Sequence, residues 1–243
     1  MKPPFHKLTE RICYLPFSEE TDRPNLGYIR GDKYSLMVDA GNSARHAGLF
    51  LSSLMEQGLP APDYVAITHW HWDHTFGMHA LKAKSIAGRL TDRQLGIVAQ
   101  WGWDDRSMSG RLASGEEIEF CDSHIRIEYP NRKEITVRTA DLVFDRRLSL
   151  DLGGITCELL QVGGPHSEDS VVVYIPEEKV IFLGDSACGD FYHNQGRCDR
   201  QKLSDYLEFL QGIDFTICVE GHDKAISREL FMQYMAEELE KLS

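Results

Sequence analysis

The stretch THWHWDHTFG, residues 68–77, carries three histidines and one aspartate within six positions, with Trp70 and Trp72 threaded between them. It follows the apolar run YVAIT (64–68) and precedes a helical pattern. In extended backbone, residues two apart project to the same side, so His69 and His71 can grip one cation. Asp73 and His74 fall where the chain turns into a helix. Adjacent side chains diverge there, which suits a second cation beside the first. By the same alternation Trp70 and Trp72 project away from the ligands. Trp72 is expected in the core beneath the site, and Trp70 either there or at the mouth of a pocket. Rings so placed would hold the loop still and keep water from behind the ligands.

Two cations need more donors than these four. Downstream, VGGPHSEDS offers His166 in a Gly/Pro turn after a strand, IFLGDS offers Asp185 at a strand end, and CVEGHD offers His222 after another strand. LMVDAG ends an apolar strand on Asp39 in the same way. Strand-to-loop junctions are where loops on a rigid scaffold bring distant residues together. Imidazole and carboxylate without thiolate suit Zn(II), Fe(II) or Mn(II).

Strand-like runs recur at 26–30, 34–39, 64–68, 155–162, 171–175, 180–183 and 215–219. Helical patterns occupy 43–57, 91–103, 202–212 and the segment after Ser227, and TDRQ at 91–94 reads as a capping box. Strands broken by single helices argue for an α/β layered domain with more than one sheet. The polar segment 89–150 reads as an insertion or lid on a single domain spanning 1–243.

The formal net charge of −12 disfavours nucleic acid, which needs clustered Lys and Arg. Arg126, Arg132, Lys133 and Arg138 stand close in sequence, but acids interleave with them, as on a solvated face. No window approaches a membrane span. The N-terminal MKPPFHKLTERICYLPF has no continuous apolar core and no small-residue cleavage site, and the six cysteines are scattered. Reduced thiols and a cytoplasmic location are therefore expected.

In this order, H-x-H-x-D-H, a turn His, a strand-end Asp and a late G-H resemble the metallo-β-lactamase superfamily. The resemblance runs from Asp39 to His222 and implies a four-layer αββα sandwich with a dinuclear metal site at one edge of two sheets. It implies that His69, His71 and His166 hold one metal, that Asp73, His74 and His222 hold the other, and that Asp185 bridges them. Asp39 would support the site from behind the ligands. The implied cofactors are two divalent ions, zinc foremost, with iron or manganese as alternatives. The bridging Asp185 resembles glyoxalase II-like thioesterases and lactonases rather than true β-lactamases. With about twenty residues after His222, the helical domain of a glyoxalase II is not expected here. The resemblance thus implies hydrolysis of a small-molecule ester, thioester or lactone by a hydroxide shared between two cations, with Asp73 orienting it and accepting its proton. An iron oxidoreductase similar to a persulfide dioxygenase, and a phosphodiesterase or nuclease, are the alternative activities on this fold. The expected partner is a small-molecule substrate, and a homo-oligomer is compatible with the sequence.

Around these ligands, Tyr192 and His193 in DFYHNQ are candidate substrate contacts. Cys188 is expected as a small buried filler, because no cationic partner is evident. His6, His46 and His124 are expected at the surface. His79 is expected to face away from His74. Trp101, Trp103, Arg106 and Met108 suit either a pocket cap or a packed helix end.

Overall fold

A computed structural model of the chain describes residues 5–242. Its first sheet holds β1 (His6–Lys7), β2 (Ile12–Leu15), β3 (Leu26–Arg30), β4 (Ser35–Val38), β5 (Tyr64–Ala66), β6 (Lys84–Gly88) and β7 (Leu142–Phe144), side by side in that order. Strands β1 to β4 are antiparallel, and β4 to β7 run parallel. The second sheet starts with β8 (Arg147–Asp151) and β9 (Thr156–Gln161), and continues with β10 (Val171–Ile175), β11 (Val180–Gly184), β12 (Ile217–Glu220) and β13 (Ile226–Ser227). All its neighbours are antiparallel except β11 and β12, which are parallel.

The two inner faces meet in one core. Ile29, Leu36, Val38, Ala66 and Ile86 from the first sheet pack against Cys157, Leu159, Val171, Val173 and Phe182 from the second. On the outer face of the first sheet lie α1 (Ala44–Glu56), through Ala47, Phe50 and Leu54, and Leu95 of a later helix. The outer face of the second sheet carries two later helices, through Tyr206, Leu210 and Phe231. This is an αββα sandwich. β10 reads VVVYI without polar alternation because both its faces are covered: Val171 and Val173 look inward, and Val172 packs on the outer helical layer.

Local chemistry sets the helix ends. Ser43 caps α1 by accepting from His46 N at 3.1 Å. The short helix α2 (Trp72–Thr75) follows β5 directly. α3 (Arg89–Val98) begins two residues before TDRQ, with Gly88 at its N-cap position and no side-chain cap. The expected capping box is therefore absent: Thr91 is buried inside the helix, where its hydroxyl donates to Asp169 O. α4 (Asp105–Ser114) and α5 (Glu119–Glu128) come next, then α6 (Arg200–Gln211), capped by Asp199, and α7 (Arg228–Lys241), capped by Ser227.

Within 89–150, β7 extends the first sheet and β8 opens the second, while α4 and α5 lie over the end of the sandwich that carries α2. Met108, Cys121 and Ile125 of these helices pack on Trp72, Phe76 and Tyr129. Arg111 stacks over Trp101 and Trp103, at 4.5 and 4.8 Å from their ring centres. The nearby cations are neutralised: Arg126 pairs with Asp105 and Asp122, Arg132 with Asp105, and Arg138 with Asp141. Among the described residues, no helix is long and apolar enough to cross a membrane.

His46 is not at the surface. It is 1% exposed and shares the inner face of α1 with Ala47, Phe50 and Leu54. Burial, then the charge of Arg23, pushes its pKa well below the ordinary value. Cys188 is exposed rather than buried, whereas Cys13, Cys121, Cys157 and Cys218 are buried; all six thiols are free.

Candidate metal centre

Two parallel strand pairs, one in each sheet, lead into the same cluster of side chains. β4 ends at Asp39, β5 leads into 68–74, β11 ends before Asp185 and β12 before His222. The β9–β10 loop adds His166. Thr68 stitches the sheets together there, since its carbonyl accepts from Val171 N at 2.7 Å. Gly184 gives it room: with φ 52, a side chain at 184 would collide with the Thr68 hydroxyl.

Asp39 adopts the left-handed backbone conformation, φ 60, which Asp tolerates better than most residues. Its carboxylate accepts from Thr68 N at 2.8 Å and Thr68 Oγ1 at 2.9 Å, and from His74 Nδ1 at 2.7 Å. That proton on Nδ1 turns His74 Nε2 toward Asp73 Oδ2 at 3.0 Å and Asp185 Oδ1 at 3.5 Å. Because the Thr68 hydroxyl donates to Asp39, its oxygen can accept from His69 Nδ1, 3.1 Å away. His166 Nδ1 donates to Gly189 O at 3.0 Å, leaving Nε2 free to face His71 Nδ1 at 3.0 Å. His222 Nε2 stands 3.0 Å from Asp73 Oδ2 and 3.6 Å from Asp185 Oδ2. The rings of His69, His74 and His166 are thus each fixed on one nitrogen by an outer partner while the other points inward.

The donors fall into two groups, His69–His71–His166 and Asp73–His74–Asp185–His222, with the donor atoms of each group within 4.8 Å of one another. This is the division expected of two cations. Asp185 Oδ2 also lies 3.9 Å from His166 Nε2, so its carboxylate faces both groups. The buried atoms His69 Nε2, His74 Nε2 and Asp185 Oδ1 lack any hydrogen-bond partner. A buried polar atom left unpaired is costly, and inward-facing orphans are what cation ligands look like without the cation. The residues present therefore fit divalent metal ions.

Charge divides the groups further. Burial, then the neighbouring rings of His74, His71 and His166, pushes His69 well below its ordinary pKa. Burial and His166 bring His71 down to about 3. Burial opposes charge on His74 and His222 as well, but carboxylates outweigh it. Asp73, Asp39 and Asp185 hold His74 well above its ordinary value, and Asp185 and Asp73 raise His222 to about 9. Burial likewise disfavours the Asp73 and Asp185 anions, yet His74 and His222 keep both well below the usual carboxylate range.

Trp72 is 3% exposed and packs on Phe76 beneath the site, as alternation implies. Trp70 is half-buried at the mouth, its ring 4.7 Å from His71 and 5.3 Å from Tyr192. Tyr192 lies 5.1 Å from His71, ring to ring, and its hydroxyl donates to Glu117 at 2.8 Å. His193 points elsewhere: its side chain is 84% exposed and meets Asp190. His79 bonds Phe76 O, away from the donors.

Three further residues went unnoticed in the sequence. Asp169, buried beyond His166, accepts from Trp70 N at 2.9 Å and so fixes the motif's backbone. Glu117, between α4 and α5, orients Tyr192. Asp22 stands 3.8 Å from His222 Nδ1, and burial together with Asp73 raises its carboxyl to about 7. Nothing in SEETDRPN distinguishes Asp22 from a surface acid, whereas Asp169 lies only three residues from a candidate ligand.

The metallo-β-lactamase superfamily model matches residues 21–214, which hold every donor but His222. Among solved structures, a metallo-β-lactamase from Pontibacter korlensis is similar with a TM-score of 0.67 at 18% identity, covering 97% of this chain and 98% of that one. The DIM-1 metallo-β-lactamase gives 0.67 at 18% identity over 99% of both chains. The stereoselective inverting sec-alkylsulfatase Pisa1 from Pseudomonas sp. gives 0.70 at 16% identity, covering 98% of this chain and 41% of the sulfatase. At these identities the likeness concerns the fold, which all three share with this protein. Superfamily members are generally metal-dependent hydrolases. With most of its length matched by the family model, the chain belongs to the metallo-β-lactamase superfamily.

Proposed function

We propose that the protein is a dinuclear metal-dependent hydrolase of a small-molecule ester, thioester or lactone. The observation that carries this reading is Asp185, whose carboxylate faces His74 of one donor group at 3.5 Å and His166 of the other at 3.9 Å. A carboxylate so placed suits two cations at bridging distance, with zinc the ion best suited to five imidazoles and two carboxylates. Divalent ions bound there supply Lewis acidity and lower the pKa of water from 15.7 toward roughly 7.

The chain's own residues supply the rest. Asp73, kept ionised by His74 and His222, orients the attacking water and accepts its proton. Trp70, Tyr192 and Phe191 form an aromatic wall beside His71 and His166, suited to an apolar substrate group. The α4–α5 segment acts as a cover, joined to the wall through Glu117 and Tyr192. A net charge of −12 speaks for a small molecule over nucleic acid, and free thiols for a cytoplasmic setting.

The test is a hydrolase panel on metal-quantified protein, using esters, thioesters, lactones and phosphodiesters. Sulfate esters join the panel because of the likeness to the alkylsulfatase. Turnover should fall more than about 100-fold in His71→Ala. Undiminished turnover in that variant would sink the proposal, and a single iron with oxygen uptake would replace it with an oxidoreductase.

A further inference from the structure

The two donor groups differ in what stands behind them. In the first, the outer partner of His69 is a hydroxyl and that of His166 a carbonyl. In the second, carboxylates face both imidazoles: Asp39 meets His74 Nδ1 at 2.7 Å, and Asp22 stands 3.8 Å from His222 Nδ1. Both acids share an unusual backbone. Asp39 has φ 60 and Asp22 φ 54, in the left-handed region that strains a non-glycine residue. Such a conformation persists only where its surroundings impose it.

At Asp22 the surroundings are extensive. Ser18 and Arg23 exchange two backbone hydrogen bonds of 2.9 Å, closing the turn. Asn42 Nδ2 donates to Thr21 O at 2.6 Å, and Arg23 donates to both oxygens of the buried Glu128 at 3.0 and 3.2 Å. Asn25 then clamps the turn to the loop that carries His222. Its backbone N–H donates to Gly221 O at 2.6 Å, and its side chain to Glu220 O and Asp223 O at 2.7 and 2.6 Å. These contacts use residues on either side of position 22 and leave its carboxylate directed at His222, with 14% of the side chain exposed.

We propose that Asp22 is a positioning residue for the second metal, an outer carboxylate to His222 as Asp39 is to His74. A gap of 3.8 Å exceeds a direct hydrogen bond but lies within ion-pair reach. Held on Nδ1, the imidazole presents Nε2 to the same point as Asp73, His74 and Asp185. An outer carboxylate also makes the ring a more basic ligand. The second position is therefore built to hold its ion against a more anionic surround than the first. This rests on reading the donor groups as metal sites, and its test separates the two claims.

Metal-free protein is titrated with zinc against a chromophoric chelator, and in parallel with cobalt, following the visible absorption of each bound ion. Wild type should bind two ions and His222→Ala one. Asp22→Asn and Asp22→Gly should bind one ion as wild type does and the other about 10–100-fold more weakly. Glycine is at ease with a positive φ, so Asp22→Gly should melt no lower than wild type without metal. Wild-type affinity for both ions in the two Asp22 variants would overturn the role of Asp22 and leave the metal site standing. Equal weakening of both ions, with a lower metal-free melting temperature, would reduce Asp22 to a support of the fold and overturn the role as well. Fewer than two ions in wild type, or an unchanged His222→Ala, would overturn both claims.

Discussion

Nδ1 of His71 and Nε2 of His166 lie 3.0 Å apart, although 95 residues separate them in the chain. One follows β5 of the first sheet and the other precedes β10 of the second, so the contact spans the sandwich. Burial disfavours a proton on His71, and an imidazole this close adds to the cost, so together they bring His71 down to about 3.

That pairing has a measurable consequence in metal-free protein. Folded His71 stays neutral down to about pH 3, whereas its unfolded counterpart takes a proton near 6.5. The folded state thus binds fewer protons between these values, and this residue destabilises it progressively as pH falls through that window. Nitrogen-detected NMR of the histidine rings should show His71 neutral at pH 5. In His166→Ala its pKa should move back up.

His222 works in the opposite direction. Its folded pKa of about 9 lies above the ordinary 6.5, so its stabilising contribution is complete below 6.5 and is lost as pH rises through about 9. Without metal, wild type should lose stability to urea between pH 7 and 9, and His222→Gln should lose less. Zinc binding by the second group must displace that proton, so its affinity should climb with pH across the same interval.

Asp39→Asn tests the other outer carboxylate. Replacing one oxygen by an amide removes an acceptor from among Thr68 N, Thr68 Oγ1 and His74 Nδ1, which the carboxylate now serves together. Second-ion affinity should drop about 10–100-fold, read by the same chelator competition. An unchanged affinity would show that the His74 ring is held by packing alone.

Gly221→Ala tests crowding at the bridging acid. A methyl group at 221 would be driven into Asp185 Oδ1 and would approach His74 Cε1 at 3.1 Å. The glycine before His222 is thus required for space. The expected outcome is loss of the second ion with secondary structure intact, by elemental analysis and circular dichroism.

The tryptophans of the motif should separate stability from recognition. Trp72→Ala empties a buried site against Phe76 and should cost about 3–5 kcal/mol in urea unfolding. Trp70→Ala, at the half-buried mouth beside Tyr192, should cost far less stability and raise KM instead.

Much was legible in local pattern. H-x-H-x-D-H, with Thr68 before it, specified its own geometry: alternation in extended backbone put His69 and His71 on one side and sent Trp72 into the core. Apolar strand ends at Asp39 and Asp185 marked the edge where loops build a site. Helix α1 was equally readable from its cap at Ser43, and the same periodicity would have placed His46 inward beside Ala47 and Phe50. The short strands β1, β2, β6, β7, β8 and β13 carried too little pattern to stand out, because partners in the sheet rather than their own residues define them.

The sequence by itself determined the ligand types, their order and the layered α/β class, since these depend on residue chemistry and short-range period. Only the tertiary structure decided which donors share a group, that Asp185 faces both, and that Asp22 stands behind His222. Those relations join residues such as 22 and 222, or 71 and 166, that come together only when two sheets close on one another. No local spacing encodes such a distance; the packing of the sandwich sets it.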